Sequence, residues 1–269
     1  MTGRLVVGVD TESAAAVAVE WAGARAARTG ETITLVTTTA FAVPPPGTLE
    51  ALDSAHLSLT EELGEGRVER RLVTEAPSIP EALAEEAGED VLVIGHHRTR
   101  PLRSALRGWL PLDIALQAVG PVIIVPDDHR PGRGERIVAG LEHDGSAGAA
   151  IAFAMRQAEL LGLPALIVAA ERVPHAGSAL DLEQVMEELR SESPEVDVAP
   201  VLAEGDAAPA IIAESRRAAL VVIGRHPVTP LEEVLVGATG HRLLKECTAP
   251  LCIVPPGFDV AAYQARDGD

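Results

Sequence analysis

The chain has 269 residues, of which 47% are hydrophobic and 2% aromatic, and its formal net charge is −18. This length suffices for one large or two ordinary domains with apolar cores, and the acidic excess argues against binding to a nucleic-acid backbone. No stretch reaches the length of an apolar membrane span, and the first residues lack the layout of a signal peptide. We therefore expect a cytosolic protein that binds neither nucleic acid nor membranes.

The first half of the chain alternates short β-branched runs with helical patterns, which is typical of a parallel sheet with crossover helices. Its predicted strands read LVVGV, TITLVTT, RVERRLV, VLVIG and PVIIV. A first helix is predicted over Ser13–Thr29, where Gly30 ends it, and a second over residues 49–62. Ser78 is the predicted cap of a third helix, with Pro80 in its first turn.

The second half repeats this pattern, with predicted strands RIVAGL, ALIVAA, VDVAPVL, LVVIG and LCIV. The sequence IGHHRTRPLRSALRG, which ends at Gly108, recurs 129 residues later as IGRHPVTPLEEVLVG, which ends at Gly237. Gly8 and Gly140, near the end of the first predicted strand of each copy, are 132 residues apart. The offset therefore changes by three residues within the repeat, while the order of the matching segments stays the same in both copies. The predicted helices of this copy cover residues 146–161, 179–191, 207–217 and 237–247.

The repeat predicts two tandem α/β domains, residues 1–126 and 135–256, joined by a polar linker at 127–134 and followed by a tail at 257–269. Each domain is expected to be a doubly wound, five-stranded, mainly parallel sheet. These are ordinary domain sizes.

The last strand of each copy, VIIV or LCIV, is apolar and would form an exposed sheet edge if it were left unpaired. We expect the two copies to cover both edges by pairing through these strands as an internal pseudo-dimer, which one chain favours by high effective concentration. Charges at Ile124 and Ile253 should disrupt that pairing. Further association into a homodimer, and a protein partner of unknown identity, remain open.

The turn after the first strand of each copy carries a carboxylate, Asp10 or Glu142. Open parallel sheets bind ligands at the carboxyl ends of their strands, so such an acid could hydrogen-bond to a base or a ribose. It could equally form an Asx turn or cap the following helix. The sequence leaves both interpretations open.

The turn after the fourth strand runs between two glycines, from Gly95 to Gly108 and from Gly224 to Gly237. A glycine lets the backbone approach a ligand closely, and the second glycine opens a helix whose free N–H groups attract anions. This chemistry suits a phosphate chain.

The VVGVD start, the EGDAAP-like turn, the VxxIG strand, the long loop and the closing PVIIVP and PLCIVP resemble universal stress protein domains, twice over. The resemblance covers nearly the whole chain apart from the linker and the tail. It implies a fold related to adenine nucleotide α-hydrolase-like domains, a role in stress survival and regulation, and usually a dimer. Nucleotide-binding members have a loop of the form G-x2-G-x9-G-[ST] and an acid near the adenine, whereas many members bind no ATP.

Copy one departs from this loop, because Arg98 stands at its second glycine and Trp109 at its terminal hydroxyl. An indole would occupy volume that terminal phosphates need, so phosphate binding in the family manner is not expected. Arg98 and the neighbouring Arg100, Arg103 and Arg107 could still bind an anion. A solvated face that balances nearby acids is the interpretation we favour.

Copy two has Pro227 and Ala238 at the same two positions, and neither offers the N–H or the hydroxyl that the family loop supplies. Thr239 could supply the hydroxyl one residue late. Glu232 and Glu233 would repel a polyphosphate, so this copy is also expected to bind nucleotide poorly.

His97 and His226 occupy equivalent loop positions, 129 residues apart. They could be catalytic or bind a metal, but no second ligand follows at metal spacing, so we interpret them as retained from an ancestral site. Cys247 and Cys252 fit neither a redox pair nor a metal set and are expected to be buried. The chain has no P-loop, no GxSxG elbow and no HExxH motif.

The sequence therefore predicts a non-enzymatic stress or regulatory protein with degenerate nucleotide sites, no certain cofactor, and ATP or AMP as possible ligands. The alternative is an ATP or AMP sensor, or a slow ATPase, with one surviving site in copy one, where Asp10 is retained and the loop is basic. Electron-transfer flavoproteins and synthetases share such a sheet but need signature loops that this chain lacks. The predicted ligand positions are Asp10, Gly95, His97, Arg98, Gly108, Glu142, Gly224, His226, Gly237 and Thr239.

Overall fold

A computed structural model describes residues 3–98, 110–130, 132, 134–141, 148–171, 182–225 and 237–263. The chain divides into two compact units, one of Met1–Pro131 with Asp259–Asp269 and one of Gly132–Phe258. The boundary lies within the segment predicted as a linker. The segment predicted as a tail starts with an ordered part, because Tyr263 is buried and its N–H donates to the carbonyl of Asp259 at 3.0 Å.

The first unit is a five-stranded parallel sheet in the order β3-β2-β1-β4-β5. The chain order reverses between β1 and β4, so the predicted doubly wound fold is confirmed. The strands are β1 Arg4–Gly8, β2 Thr32–Thr38, β3 Val68–Val73, β4 Val91–His96 and β5 Val122–Pro126. The helices are α1 Ser13–Thr29, α2 Thr48–Leu63, α3 Ile79–Ala87 and α4 Leu110–Gln117.

The second unit repeats this architecture, with a parallel sheet in the order β8-β7-β6-β9-β10. Its strands are β6 Arg136–Leu141, β7 Ala165–Glu171, β8 Val198–Glu204, β9 Ala218–Gly224 and β10 Leu251–Val254. Its helices are α5 Gly148–Leu161, α6 Leu182–Glu192, α7 Ala208–Ser215 and α8 Gly237–Glu246. The matching strand orders agree with the collinear repeat in the sequence.

Local signals set the ends of the helices in the first unit. Gly30 ends α1 in the left-handed region at φ 82°, and its N–H donates to the carbonyl of Ala26 at 2.9 Å. Ser78 caps α3, where its hydroxyl oxygen accepts from the N–H of Glu81 at 3.3 Å, and Pro80 lies in the first turn. The cap and the helix end predicted from these residues are confirmed.

Small side chains let α1 lie very close to the end of β4. Ala14 and Ala15, in the first turn of α1, are buried. A Cβ at Gly95 would overlap the carbonyl of Ala14 and lie 2.7 Å from the backbone nitrogen of Ala15. Gly95 is therefore required by the packing of α1 on the sheet.

A buried ion pair joins the last turn of α1 to the start of β2. The guanidinium of Arg25 donates from Nε and Nη2 to the carboxylate of Glu31 at 2.8 and 2.9 Å, and both side chains are 3% exposed. The hydroxyl of Thr29 donates to the same carboxylate at 2.6 Å, while Arg67 donates to the backbone carbonyl of Glu31 at 2.7 Å.

The second unit has no charge at either of these two positions. The 132-residue offset between Gly8 and Gly140 pairs Arg25 with Gln157 and Glu31 with Leu163. Gln157 is fully buried in α5, and neither polar atom of its amide has a hydrogen-bond partner among the described residues. An unsatisfied buried amide is destabilising because it has given up its hydrogen bonds to water.

Replacing Gln157 by leucine is expected to raise the free energy of unfolding of the second unit by about 1 to 2 kcal/mol. The leucine keeps much of the volume and removes the unsatisfied amide. Denaturant unfolding of the whole chain measures the change. Gln184→Leu on the exposed face of α6 is the control, expected to stay within about 0.5 kcal/mol of wild type. A loss of stability in Gln157→Leu would mean that the amide is satisfied in solution.

None of the helices in the described part of the chain is both long and apolar enough to cross a membrane.

Candidate ligand site at the carboxyl edge of the first sheet

The carboxyl ends of β1, β4 and β5 meet at one edge of the first sheet, on both sides of the point where the strand order reverses. This is where open parallel sheets place their ligand sites. The described residues closest to these strand ends include the charged or titratable side chains of Asp10, Glu12, His97, Arg98, Asp127 and Asp128, and His129 and Arg130 follow in the segment after β5.

Asp10 lies in the turn between β1 and α1 and is exposed. Its Oδ1 accepts a hydrogen bond from the backbone N–H of Glu12 at 2.7 Å. This is the Asx turn that the sequence allows as one of two interpretations of this acid. The hydrogen bond fixes the carboxylate of Asp10 in the turn after β1, two residues before Glu12.

His97 lies between two carboxylates. Its Nδ1 is 3.2 Å from Oδ2 of Asp127, and its Nε2 is 3.5 Å from Oε2 of Glu12, which is ion-pair distance without the geometry of a hydrogen bond. The Asp127 carboxylate is only 6% exposed. The imidazole therefore connects the turn after β1 to the turn after β5.

Arg98 is held by both aspartates that follow β5. Its backbone N–H donates to Oδ1 of Asp127 at 3.2 Å, and its Nε donates to Oδ1 of Asp128 at 3.1 Å. Its Nη2 also contacts Oδ2 of Asp128, so the guanidinium and this carboxylate form a two-point pair. The favoured interpretation, in which arginines of this loop balance nearby acids, agrees with the position of Arg98.

His96, the last residue of β4, is buried beneath this cluster. Burial lowers the pKa of His96 below its ordinary value of 6.5, because the charged imidazolium would lose its hydration. Asp127 opposes this shift, while His97 and Arg98 add to it. The neutral imidazole is thus the form that the folded first unit favours.

The unfolding free energy of the first unit is therefore expected to fall as the pH drops below 6.5. The unfolded chain takes up a proton on His96 near that pH, whereas the folded chain does so only at lower pH, so acid favours unfolding. Denaturant melts at several pH values between 5 and 7.5 measure the slope. A His96→Asn variant should show a smaller slope, and an unchanged slope would assign the acid sensitivity to other groups.

The predicted positions in the second unit are only partly described. Gly224 ends β9, Gly237 begins α8, and Thr239 is half-buried in the first turn of that helix. Burial lowers the pKa of Arg225, which follows β9. The predictions for Gly108, Glu142 and His226, together with that for Trp109, fall outside the residues that the structure describes.

The two copies differ at the two aspartates that contact His97 and Arg98 in the first unit. The 129-residue offset pairs Asp127 with Pro256 and Asp128 with Gly257, so the second copy has no carboxylate at these two positions. The histidine is present in both copies, but its aspartate partner is particular to the first.

Glu12, Asp127 and Asp128 were missed as site residues in the sequence analysis. The polar composition of 127–134 predicts a linker that begins with the two aspartates. The signal that could have found them is the parallel pairing of β4 and β5, in which His96 lies beside Pro126. Residues directly after these strands must then lie side by side.

The described residues include no group of three His, Cys, Asp or Glu side chains arranged to hold a metal ion. The contacts within this cluster include instead those of His97 and Arg98 with Asp127 and Asp128.

The model of the universal stress protein family matches residues 1–126 and 134–255. The chain belongs to the universal stress protein family. The two matched segments correspond to the two sheets described above, so it is a tandem universal stress protein. No match was found among the curated proteins searched.

Similar solved structures include a universal stress protein from Archaeoglobus fulgidus DSM 4304, with 15% identity, coverage of 94% of this chain and 96% of that chain, and a TM-score of 0.74. A candidate universal stress protein from Pseudomonas aeruginosa UCBPP-PA14 has 20% identity, coverage of 100% and 98%, and a TM-score of 0.66. The cytoplasmic domain of a prokaryotic cation chloride cotransporter has 14% identity, coverage of 98% and 100%, and a TM-score of 0.61. At these identities the likeness shows the fold alone.

Proposed function

We propose that this tandem universal stress protein is a non-catalytic, cytosolic stress-response or regulatory protein whose nucleotide sites are degenerate. The observation that carries the proposal is the set of contacts made by His97 and Arg98, the first two residues after β4. The N–H and guanidinium donors of Arg98 are engaged by Asp127 and Asp128, and the ring of His97 lies against Asp127.

Electrostatics support the same proposal. The described turns at this edge contain the carboxylates of Asp10, Glu12, Asp127 and Asp128, and the arginine that follows β4, Arg98, is already paired; Arg130 lies further along the segment after β5. A triphosphate placed there would meet repulsion from the acids, and it would have to displace Asp128 to gain the guanidinium. In the second copy Pro227, Ala238 and the adjacent acids remain the reason to expect poor binding.

Calorimetric titration of the purified protein with ATP and AMP tests the proposal, after a check that no nucleotide co-purifies. We expect no saturable heat at millimolar nucleotide and no phosphate release above that of the buffer. Binding of about one equivalent that is lost in Asp10→Ala would overturn it. Asp113→Ala, at an exposed acid of α4, is the matched control that removes one negative charge away from the turn.

The alternative is a nucleotide sensor or slow ATPase that uses the first unit. One observation favours it: Asp10 is exposed at the carboxyl edge, where a base or a ribose could reach its carboxylate. The same titration distinguishes the two, because a sensor binds AMP without needing the phosphate loop. Binding of AMP with Asp10 dependence would select the sensor, and phosphate release would select the ATPase.

A further inference from the structure

The donors at the start of the loop after β4 converge on two neighbouring carboxylates. Asp127 lies against Nδ1 of His97 at 3.2 Å and accepts from the backbone N–H of Arg98 at 3.2 Å. Asp128 accepts from Nε of Arg98 at 3.1 Å and contacts its Nη2. The two adjacent carboxylates thus occupy hydrogen-bond donors of the kind that could otherwise bind a free oxyanion.

The side chains that make these contacts are largely buried, so removing the carboxylates would leave their donors poorly hydrated. Asp127 is 6% exposed, and the side chains of His97 and Arg98 are 15% and 21% exposed. Donors with so little access to water cannot fully rehydrate when their acceptors are removed. A site emptied of these carboxylates would keep a positive guanidinium that needs an acceptor, whereas the N–H of Arg98 would keep its hydrogen bond to the carbonyl of His96 at 3.1 Å.

We propose that the carboxylates of Asp127 and Asp128 occupy an oxyanion site and thereby prevent the first unit from binding phosphate-like anions. We call this pair of carboxylates the internal latch. This inference rests on the proposed function, since it gives the physical cause of the degenerate first site. The ligand of the unlatched site is a small tetrahedral oxyanion of the phosphate class. The second copy has no such latch because Pro256 and Gly257 replace the aspartates.

The register of the sheet explains why the latch reaches the loop. β4 and β5 are paired in parallel, with Gly95 beside Val125 and His96 beside Pro126. The N–H of Asp127 continues this ladder by donating to the carbonyl of His96 at 2.8 Å. The backbone of Asp127 is therefore fixed, and only its side chain would leave the site in a substitution.

An Asp127→Ala/Asp128→Ala variant tests the latch, with inorganic phosphate as the probe. Thermal melts of the whole chain are recorded at fixed pH and fixed ionic strength while phosphate replaces chloride. We expect the melting temperature of the variant to rise by several degrees in a saturable way, because a ligand bound only by the folded state stabilises it. The melting temperature of the wild-type protein should be the same in phosphate as in chloride at equal ionic strength.

Adding Arg98→Gln to the double variant should abolish the phosphate response, because the guanidinium supplies the charge of the site. A double variant that melts cooperatively without a phosphate-specific rise would overturn the latch. So would a wild-type protein that responds equally. If the double variant does not fold, Asp128→Ala alone is titrated by calorimetry, since Asp128 is 35% exposed. Saturable phosphate heat supports the latch, and its absence overturns it.

The latch and the proposed function can fail separately. ATP binding by the wild-type protein would overturn the proposed function, whatever the variants do. A wild-type protein that binds no nucleotide, together with a double variant that ignores phosphate, would leave the proposed function standing and remove the latch as its cause.

Discussion

Gly95→Ala is expected to lower the free energy of unfolding of the first unit by about 3 kcal/mol. The added methyl group would overlap the backbone carbonyl of Ala14 and approach the nitrogen of Ala15. These are main-chain atoms in the first turn of α1, so no side-chain rotation can relieve the overlap. The helix must move away from β4, and it would carry the turn of Asp10 and Glu12 with it.

Denaturant unfolding of the whole chain measures this loss, and far-UV circular dichroism shows whether the helices persist. Gly148→Ala is the control, because an added Cβ at this first residue of α5 meets nothing within 4 Å. It should be neutral or slightly stabilising, since alanine favours helices over glycine. A Gly95→Ala protein as stable as the control would show that α1 can shift without cost.

The central strands were predictable because their residues are buried on both faces, whereas β3 and β8 are largely exposed. Leu5, Val6 and Val7 in β1 are fully buried, and such positions select continuous runs of β-branched and aliphatic residues. The repeat then fixed the number of strands, since the same five runs occur in the same order in each copy. The ends of the strands differ from the prediction by no more than two residues.

Helix ends were predictable where a single residue decides them locally. Gly30 adopts a conformation that other residues avoid, and Ser78 supplies an oxygen to an N–H three residues ahead. Both effects depend on neighbours in the sequence and need no tertiary information. The segment from Asp259 lacked such signals, and its membership of the first unit depends on contacts that sequence cannot show.

The chemistry of the site was less predictable, because it depends on contacts between residues far apart in the chain. Gly95 was interpreted as a point of close approach for a ligand, whereas the backbone of α1 occupies the space beside it. Arg98 and Asp128 are 30 residues apart, so a basic loop and an acidic linker gave no local sign of their pairing. For Asp10, residue type permits both a ligand contact and an Asx turn.

Removing one member of the Arg25–Glu31 pair is expected to produce the second large effect. Glu31→Leu should lower the free energy of unfolding of the first unit by about 3 to 5 kcal/mol, because it leaves a guanidinium buried opposite an apolar side chain. The hydroxyl of Thr29 also loses the carboxylate to which it donates at 2.6 Å. Arg71→Met, at a half-exposed ion pair with Glu86, should cost less than about 1 kcal/mol.

Replacing both members is expected to restore most of that stability. Arg25→Met/Glu31→Leu removes both buried charges, and apolar residues of similar volume often match a buried ion pair in stability. The second copy supports this expectation, since it folds the same helix and strand with Gln157 and Leu163 at these positions. Denaturant unfolding of the two single variants and the double variant gives the coupling energy. A double variant as unstable as the sum of its single variants would show that each residue acts independently of the other.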